Sequence, residues 1–408
     1  MAGFLSLLAV ASTPVAEVLL VGVLGAYLAA GRCGILTPAA RADVNRLVYA
    51  VFTPALLLAS LATTVTLEDA ISWWFMPVNI GIIFMIGGLL GWLAVLVLRP
   101  PPQLRGLIIA SCSAANFGNL LLILIPAVCA EDGNPFGEVK SICTQRGLSY
   151  TSFSMALGGF YIWTHTYSVM KRCGEIYRMM KHASMATAAV HPQSDHSAKP
   201  EEEEQPSWND EEGAVSPSAN KSAVGEKEQH QIMRGCAHKV GEELTAPPTI
   251  GAIIGLVIGA VPWLKSLFVG TNAPLRAVLD SLKLLGDGTI PCVTLILGGN
   301  LTRGARKTTV PAAVVAAIIG VRYVVLPAAG VAVVTAAREM GFLPPDPLYQ
   351  YVLMIQFALP PAMSIGTMSQ LYDVGQEECS VIFLWTYLVA ALAITVWSTV
   401  FMSILQQA

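Results

Sequence analysis

Ala114-Ala115-Asn116-Phe117-Gly118-Asn119 lies inside an apolar run from about Leu107 to Val128. Two asparagines and a glycine at mid-membrane depth are costly, because lipid offers their amides no partners. Such a break is tolerated where the unwound backbone is buried in protein or lines a water-filled cavity. A second break, Ala358-Leu359-Pro360-Pro361, interrupts the apolar run from about Tyr351 to Leu371. Paired broken helices at corresponding places in two halves point to the binding site of a secondary transporter.

Working outward, the composition sets the class. The chain has 408 residues, 54% hydrophobic and 12% charged. A soluble domain carries about 25% charged residues, so a polytopic all-α membrane protein is expected. The net charge of −3 gives neither the basic excess of a nucleic-acid binder nor a polybasic membrane anchor. Eight cysteines occur singly, without the CxxC pairs of zinc or thiol-redox sites. Walker loops, HExxH and GxSxG are absent, so no enzyme, metal or cofactor is expected. Ser154 and His165 on one helix would lie about 16 Å apart, too far for a protease pair. Met1 to Val15 has no basic region and leads directly into the first span, so a transmembrane helix is expected there rather than a cleaved signal.

Apolar runs predict ten spans, near 12–31, 44–63, 73–98, 105–128, 148–170, 246–268, 278–299, 309–336, 348–371 and 379–405. If the first connection is cytoplasmic, odd-numbered loops hold most of the Lys and Arg, from Arg32, Arg41 and Arg46 through Lys171 and Arg172 to Arg306 and Lys307. Even-numbered loops are poorer in Lys and Arg and carry Glu68, Asp69, Glu131, Asp132 and Glu138. This bias places both termini on the non-cytoplasmic side, although the acidic loop Asp373 to Glu378 runs against it. Residues 171–245 hold a run of four glutamates and a Ser/Glu/Lys-rich tract, read as a disordered cytoplasmic linker. On this topology the acceptor patterns at Asn220 and Asn300 stay unglycosylated.

The linker divides ten spans into five and five, residues 1–170 and 246–408. Five is odd, so two similar halves would be inverted relative to each other. Pro54 precedes Phe117 by 63 residues and Pro291 precedes Pro360 by 69, so prolines and breaks recur at similar spacing. Crossing half-helices would present free N–H groups and positive dipole ends to an anion. Asn116 and Asn119 add amide donors, while Pro360 and Pro361 force the interruption. Asp287 is either a protonatable coupling group or a support beside the glycines of Gly286-Asp287-Gly288. Glu17 reads as interfacial, His165 as a packing residue, and Arg322 as paired with an acid or snorkelling. Cys129 and Cys143 close a short non-cytoplasmic loop, a candidate disulfide in an oxidising lumen.

These stretches resemble the plant PIN-LIKES proteins of the auxin efflux carrier superfamily. The resemblance rests on Val44-Asn-Arg-Leu-Val-Tyr-Ala-Val-Phe-Thr-Pro54, Ser113-Ala-Ala-Asn-Phe-Gly-Asn119 and Ile355-Gln-Phe-Ala-Leu-Pro360, with Leu284 to Pro291 a weaker match. It implies ten helices in two inverted five-helix repeats, helices 4 and 9 broken and crossing. It further implies carriage of the indole-3-acetic acid anion in the endoplasmic reticulum membrane, with both termini lumenal. Spans 1, 2, 6 and 7 would form a scaffold and the rest a moving transport unit, an elevator arrangement. In related PIN carriers the breaks read Leu-Pro-Asn and Leu-Pro. Here Leu359-Pro360 matches, Gly118 stands for the first proline, and Asn119 takes the asparagine position that holds the carboxylate. The expected substrate-binding set is therefore Asn116, Gly118, Asn119, Leu359, Pro360 and Pro361, supported by Asp287, Pro54 and Pro291. Besides auxin and the lipid bilayer, a homodimer is among the expected partners. The alternatives are an ion-coupled carrier of another organic anion and a non-transporting auxin sensor.

Overall fold

In a computed structural model of the chain, the run that begins at Pro102 stops being helical after Ser113 and becomes helical again at Asn119. The structure describes residues 16–17, 19–30, 33–64, 66–117, 119–130, 136, 140–190, 246–307 and 310–407. Its first unit comprises 1–177 and 244–408, and its second 178–243. In the first unit we label α1 (Leu19–Ala29) and α2 (Pro38–Thr64). They are followed by α3 (Phe75–Leu98), α4 (Pro102–Ser113), α5 (Asn119–Ala130) and α6 (Lys140–Tyr161). Then come α7 (Pro247–Ala260), α8 (Pro262–Phe268), α9 (Arg276–Asp287) and α10 (Thr289–Lys307). The last are α11 (Ala312–Glu339), α12 (Pro347–Ile355), α13 (Ser364–Leu371) and α14 (Gln376–Gln406).

Helices occupy every apolar run read from the sequence. Among the described residues, five stretches are long and apolar enough to cross a membrane, namely α2, α3, Arg276–Asn300, α11 and α14, and the pair α7 and α8, bent by 108°, adds a sixth when counted as one span. The runs at 105–128 and 348–371 are cut into shorter helices by their breaks. Residues 171–190, assigned to the linker on composition, instead continue the helix that follows α6, as far as Val190. Low hydropathy marks chain that leaves the bilayer, and an α-helix satisfies its backbone equally well in water. Residues 191–245 of the expected linker, with Asn220, lie outside the described residues.

Proline shapes several elements. Pro54 and Pro327 each follow a π turn, Val48–Phe52 and Val321–Val325, by two residues. A proline cannot donate to the carbonyl four residues before it. For Pro327 that carbonyl is Tyr323, and the Trp397 indole of α14 donates to it at 2.8 Å. The Tyr323 hydroxyl donates to the Thr386 carbonyl at 2.8 Å, so the π turn is tied to α14 through both the backbone and the side chain of Tyr323.

Helices α2 and α7 touch through backbone. A Cβ at Gly251 would fall 2.6 Å from the Pro54 oxygen, and one at Gly255 would fall 2.7 Å from the Leu58 oxygen. This is the small-xxx-small approach by which apolar helices pack in lipid, where side-chain burial gives no hydrophobic gain between them. Gly286 of α9 comes equally close to Leu56, with its Cβ position 2.8 Å from the Leu56 Cα. Pro54 is thus part of a helix-packing seam.

Cys129 at the end of α5 and Cys143 at the start of α6 are joined by a disulfide, with Cα atoms 5.7 Å apart. Nearby, Asp346 caps α12 by accepting from the N–H groups of Leu348 and Tyr349 at 2.9 and 3.2 Å. The same carboxylate pairs with Arg146 and accepts from the Tyr150 hydroxyl, tying α6 to α12. Asn300 is buried within α10.

Candidate functional site

The two breaks meet. Ala115 and Pro361 form an antiparallel bridge. The Asn116 N–H donates to the Pro360 carbonyl at 2.8 Å, and the Ala362 N–H donates to the Ala114 carbonyl at 3.0 Å. The bonds fall on residues flanking the bridged pair, so the missing N–H of Pro361 costs nothing. Pro360 likewise contributes only its carbonyl. Two stretches that could not satisfy their backbones alone in lipid satisfy each other.

The carbonyls at the ends of α4 and at the second break have another partner. Arg322, on the π turn of α11, is 0% exposed. Its Nη1 donates to the Cys112 carbonyl at 3.2 Å, and its Nη2 donates to those of Ala114 and Pro360 at 3.1 and 3.0 Å. Arg322 is therefore buried on backbone carbonyls and, among the described residues, pairs with no acid. It caps the crossing with a planar donor fork that can serve several carbonyls at once. Its Nε has no partner among the described residues.

Two further side-chain groups complete the junction. Asn79 of α3 donates to the Leu353 carbonyl at 3.1 Å and to the Gln356 side chain at 2.8 Å. Gln356 then donates to the Ser154 hydroxyl at 2.9 Å, which fixes α6 to the second break. Tyr387 of α14 bonds both breaks, since its hydroxyl donates to the Pro361 carbonyl at 3.0 Å and accepts from the Asn116 amide at 2.8 Å. The phenol donor is committed to Pro361, so it holds the Asn116 side chain in place.

Beside this junction lies a cavity of about 380 Å³, within the range of small-molecule sites. Asn116, Ala362, Met363 and Ser364 bring the breaks to its wall. Ser364 begins α13, and the Ile365 and Gly366 N–H groups bond back to the Ala362 and Met363 carbonyls. Those two N–H groups are thereby satisfied, so what this end offers an anion is the positive end of the helix dipole. Phe117, Trp163 and Tyr387 supply flat aromatic walls. Phe117 sits against Gly158, where a Cβ would overlap its ring, and stacks at 6.3 Å on Phe84. His165 meets the edge of Phe84 at 5.7 Å, a packing position.

The expected site residues fare differently. Asn116, Asp287 and Pro291 line the cavity. Leu359, Pro360 and Pro361 are buried and form the junction rather than the wall. Asn119 starts α5, but its side chain and all of Gly118 lie outside the described residues. Glu17, read as interfacial, lines the cavity together with Asp287. Reasoning from sequence missed Tyr387, Trp163 and the capping role of Arg322. A lone arginine in an apolar span was the available signal for the last.

Residues 10–398 match the family model described as membrane transport protein. The chain is 54% identical to Protein PIN-LIKES 7 of Arabidopsis thaliana, over 99% of this chain and 100% of that protein. It is 52% identical to Protein PIN-LIKES 5 of the same plant, with the same coverage, and 41% identical to Protein PIN-LIKES 3 over 98% of this chain and 99% of that one. This multi-pass membrane chain belongs to the auxin efflux carrier family of membrane transport proteins, among its PIN-LIKES members.

Proposed function

We propose that the chain carries the indole-3-acetic acid anion across the endoplasmic reticulum membrane by alternating access at the crossed breaks. The observation that carries this reading is the cavity where both breaks, the start of α13 and three aromatic side chains converge. A planar aromatic acid needs an apolar slot with a few placed donors, and dipoles and amides provide them without a buried cation facing the ligand. Ten helices in two inverted five-helix repeats, with the linker between them, fit the recurrence of prolines and breaks. The glycine seam joining α2 to α7 and α9 supports the scaffold half of an elevator arrangement. A disulfide between Cys129 and Cys143 agrees with a lumenal face for that loop, and hence with lumenal termini.

Uptake of labelled indole-3-acetic acid into proteoliposomes of the purified chain tests the proposal. Saturable uptake is expected, and binding without flux would favour the sensor reading. One observation favours a second carrier reading. Glu17 and Asp287 bring two carboxylates to the cavity, as ion-coupled carriers do. Uptake that persists when proton and sodium gradients are collapsed would reject coupling.

A further inference from the structure

The cavity is open at one end and closed at the other. Helices α2, α9 and α10 fix the direction, since Arg41 donates to the Gly299 carbonyl at 3.3 Å while Gly286 packs on Leu56. Asp287 therefore lies level with Leu56, eleven residues along α2 from Asn45, or roughly 16 Å. Asp287 lines the cavity and is exposed, so the cavity opens there. Toward the start of α2 the same walls come together. Asn45 and Tyr49 lie about two turns and one turn before Thr53, the first α2 residue of the wall. Asn45 Nδ2 donates to the Thr367 carbonyl at 3.0 Å, about one turn past Met363 of the wall. The Tyr49 and Tyr167 hydroxyls share a hydrogen bond of 3.2 Å, and Tyr167 stands about one turn past Trp163 of the wall. The two rings stack with centroids 6.3 Å apart, Tyr49 meets Trp163 at 5.6 Å, and Tyr372 packs on Tyr167 at 5.6 Å.

These contacts join two bodies. Asn45 and Tyr49 belong to α2, which meets α7 and α9 backbone to backbone through Gly251, Gly255 and Gly286. Tyr167 and Thr367 belong to the helix that follows α6 and to α13. Both are fixed to the crossing, α6 by the Gln356 bond to Ser154 and α13 by the Ala362 bond to Ala114. Between the bodies, neutral side-chain bonds replace the tight glycine contacts. Asn45 is also left half paired, since it is 3% exposed and its Oδ1 has no partner among the described residues. A buried amide oxygen without a donor is costly, and water reaches it once the contact parts. The closed contact is therefore only slightly favoured, which suits a part that has to separate. We propose that Asn45, Tyr49 and Tyr167 form a gate that shuts the cavity toward the start of α2 and parts to release the ligand on that side, cytoplasmic in the proposed topology. This rests on the proposed function and names the residues that close the cavity away from Asp287. Trp163 links the gate to the ligand, because it lines the cavity and touches Tyr49.

The test follows a thiol one turn inside the gate. Thr53→Cys is introduced into the full-length chain in sealed vesicles, and a membrane-impermeant maleimide is added to the face at which α2 begins. Labelling above the rate of the chain without that cysteine reports opening. Tyr49→Phe, which keeps the ring, and Asn45→Ala should each speed this labelling roughly two- to tenfold, the effect of one neutral hydrogen bond on a two-state equilibrium. In a Tyr49→Cys/Tyr167→Cys protein, a short bifunctional thiol reagent should abolish uptake of labelled indole-3-acetic acid. Binding of the acid should persist, because the Asp287 end stays open. Unchanged labelling in both Tyr49→Phe and Asn45→Ala, or undiminished uptake after cross-linking, would overturn the gate and leave the proposed function standing. A wild type that takes up no auxin, with labelling that still responds as expected, would overturn the proposed function and leave the gate.

Discussion

Replacing Arg322 by methionine removes a cation of similar length and leaves its three carbonyl partners in place. Hydrogen bonds from charged donors contribute about 1.5–3 kcal/mol each, and a buried acceptor left without a donor costs about 1–3 kcal/mol. Three carbonyls lose a charged donor, those of Cys112, Ala114 and Pro360, although the last two keep the N–H groups of Ala362 and Asn116. Against this stands relief from burying a guanidinium, which costs several kcal/mol even after relaxation. The net loss expected is about 3–5 kcal/mol, in line with breaking other buried charged pairs. Arg322→Lys keeps the charge but offers a point rather than a fork, so it should lose roughly 1–2 kcal/mol as one or two of the charged hydrogen bonds are lost. Denaturant unfolding of the purified variants in detergent, read together with auxin binding, measures both. An Arg322→Met protein within about 0.5 kcal/mol of the wild type, the scatter of ordinary surface substitutions, would refute the capping role.

Other consequences follow from the same contacts. Asn116→Ala removes the amide that bonds Tyr387 at 2.8 Å, and auxin affinity should fall about tenfold. Side by side with Asn119→Ala, equilibrium binding decides which asparagine holds the carboxylate, and the larger loss is expected at 119 if the family position governs. Trp397→Phe leaves the Tyr323 carbonyl unpaired and should cost about 1–3 kcal/mol in unfolding free energy. Gly255→Val forces α7 away from Leu58, and overpacking of about 1–3 kcal/mol should appear as lower yield of folded protein by size-exclusion chromatography. Reducing the Cys129–Cys143 bond reopens a loop with a sequence separation of 14, worth about 3 kcal/mol on chain-entropy grounds. A peptide map of fresh membranes should find the two cysteines bonded, and free thiols at both would contradict the lumenal assignment of that loop.

Much of this was legible in the chain because membranes penalise polarity so heavily. Asn116 and the Pro360-Pro361 pair stood out inside apolar runs, and the helix is interrupted at both places. What stayed hidden was pairing across the sequence. Nothing local to Arg322 tells that its partners are carbonyls 210, 208 and 38 residues away. Tyr387 reads as one more aromatic residue in a long apolar helix, and only the fold brings it to Asn116. Glu17 was read as interfacial from its place near the start of the first helix, and only the fold shows that it also lines the cavity. Residues 171–190 looked like linker because composition reports polarity rather than backbone order.

The charges around the crossing explain why an uncompensated arginine is tolerated at its back. Each half-helix ends with a partial charge of about −0.5 and begins with about +0.5. The end of α4 and the carbonyl of Pro360 in the second break converge where Arg322 sits, so the partial negative charge of about −0.5 at that helix end meets one guanidinium. That leaves the starts of α5 and α13 as the positive contribution at the junction, with nothing on the arginine side to cancel it. A bound carboxylate completes the balance, and a neutral analogue would not. Discrimination between indole-3-acetic acid and its uncharged amide should therefore be large in the wild type. It should shrink in Arg322→Met, where the unneutralised carbonyls weaken the positive field felt by the ligand. An acid-to-amide ratio unchanged from the wild type in a folded Arg322→Met protein would refute the charge argument.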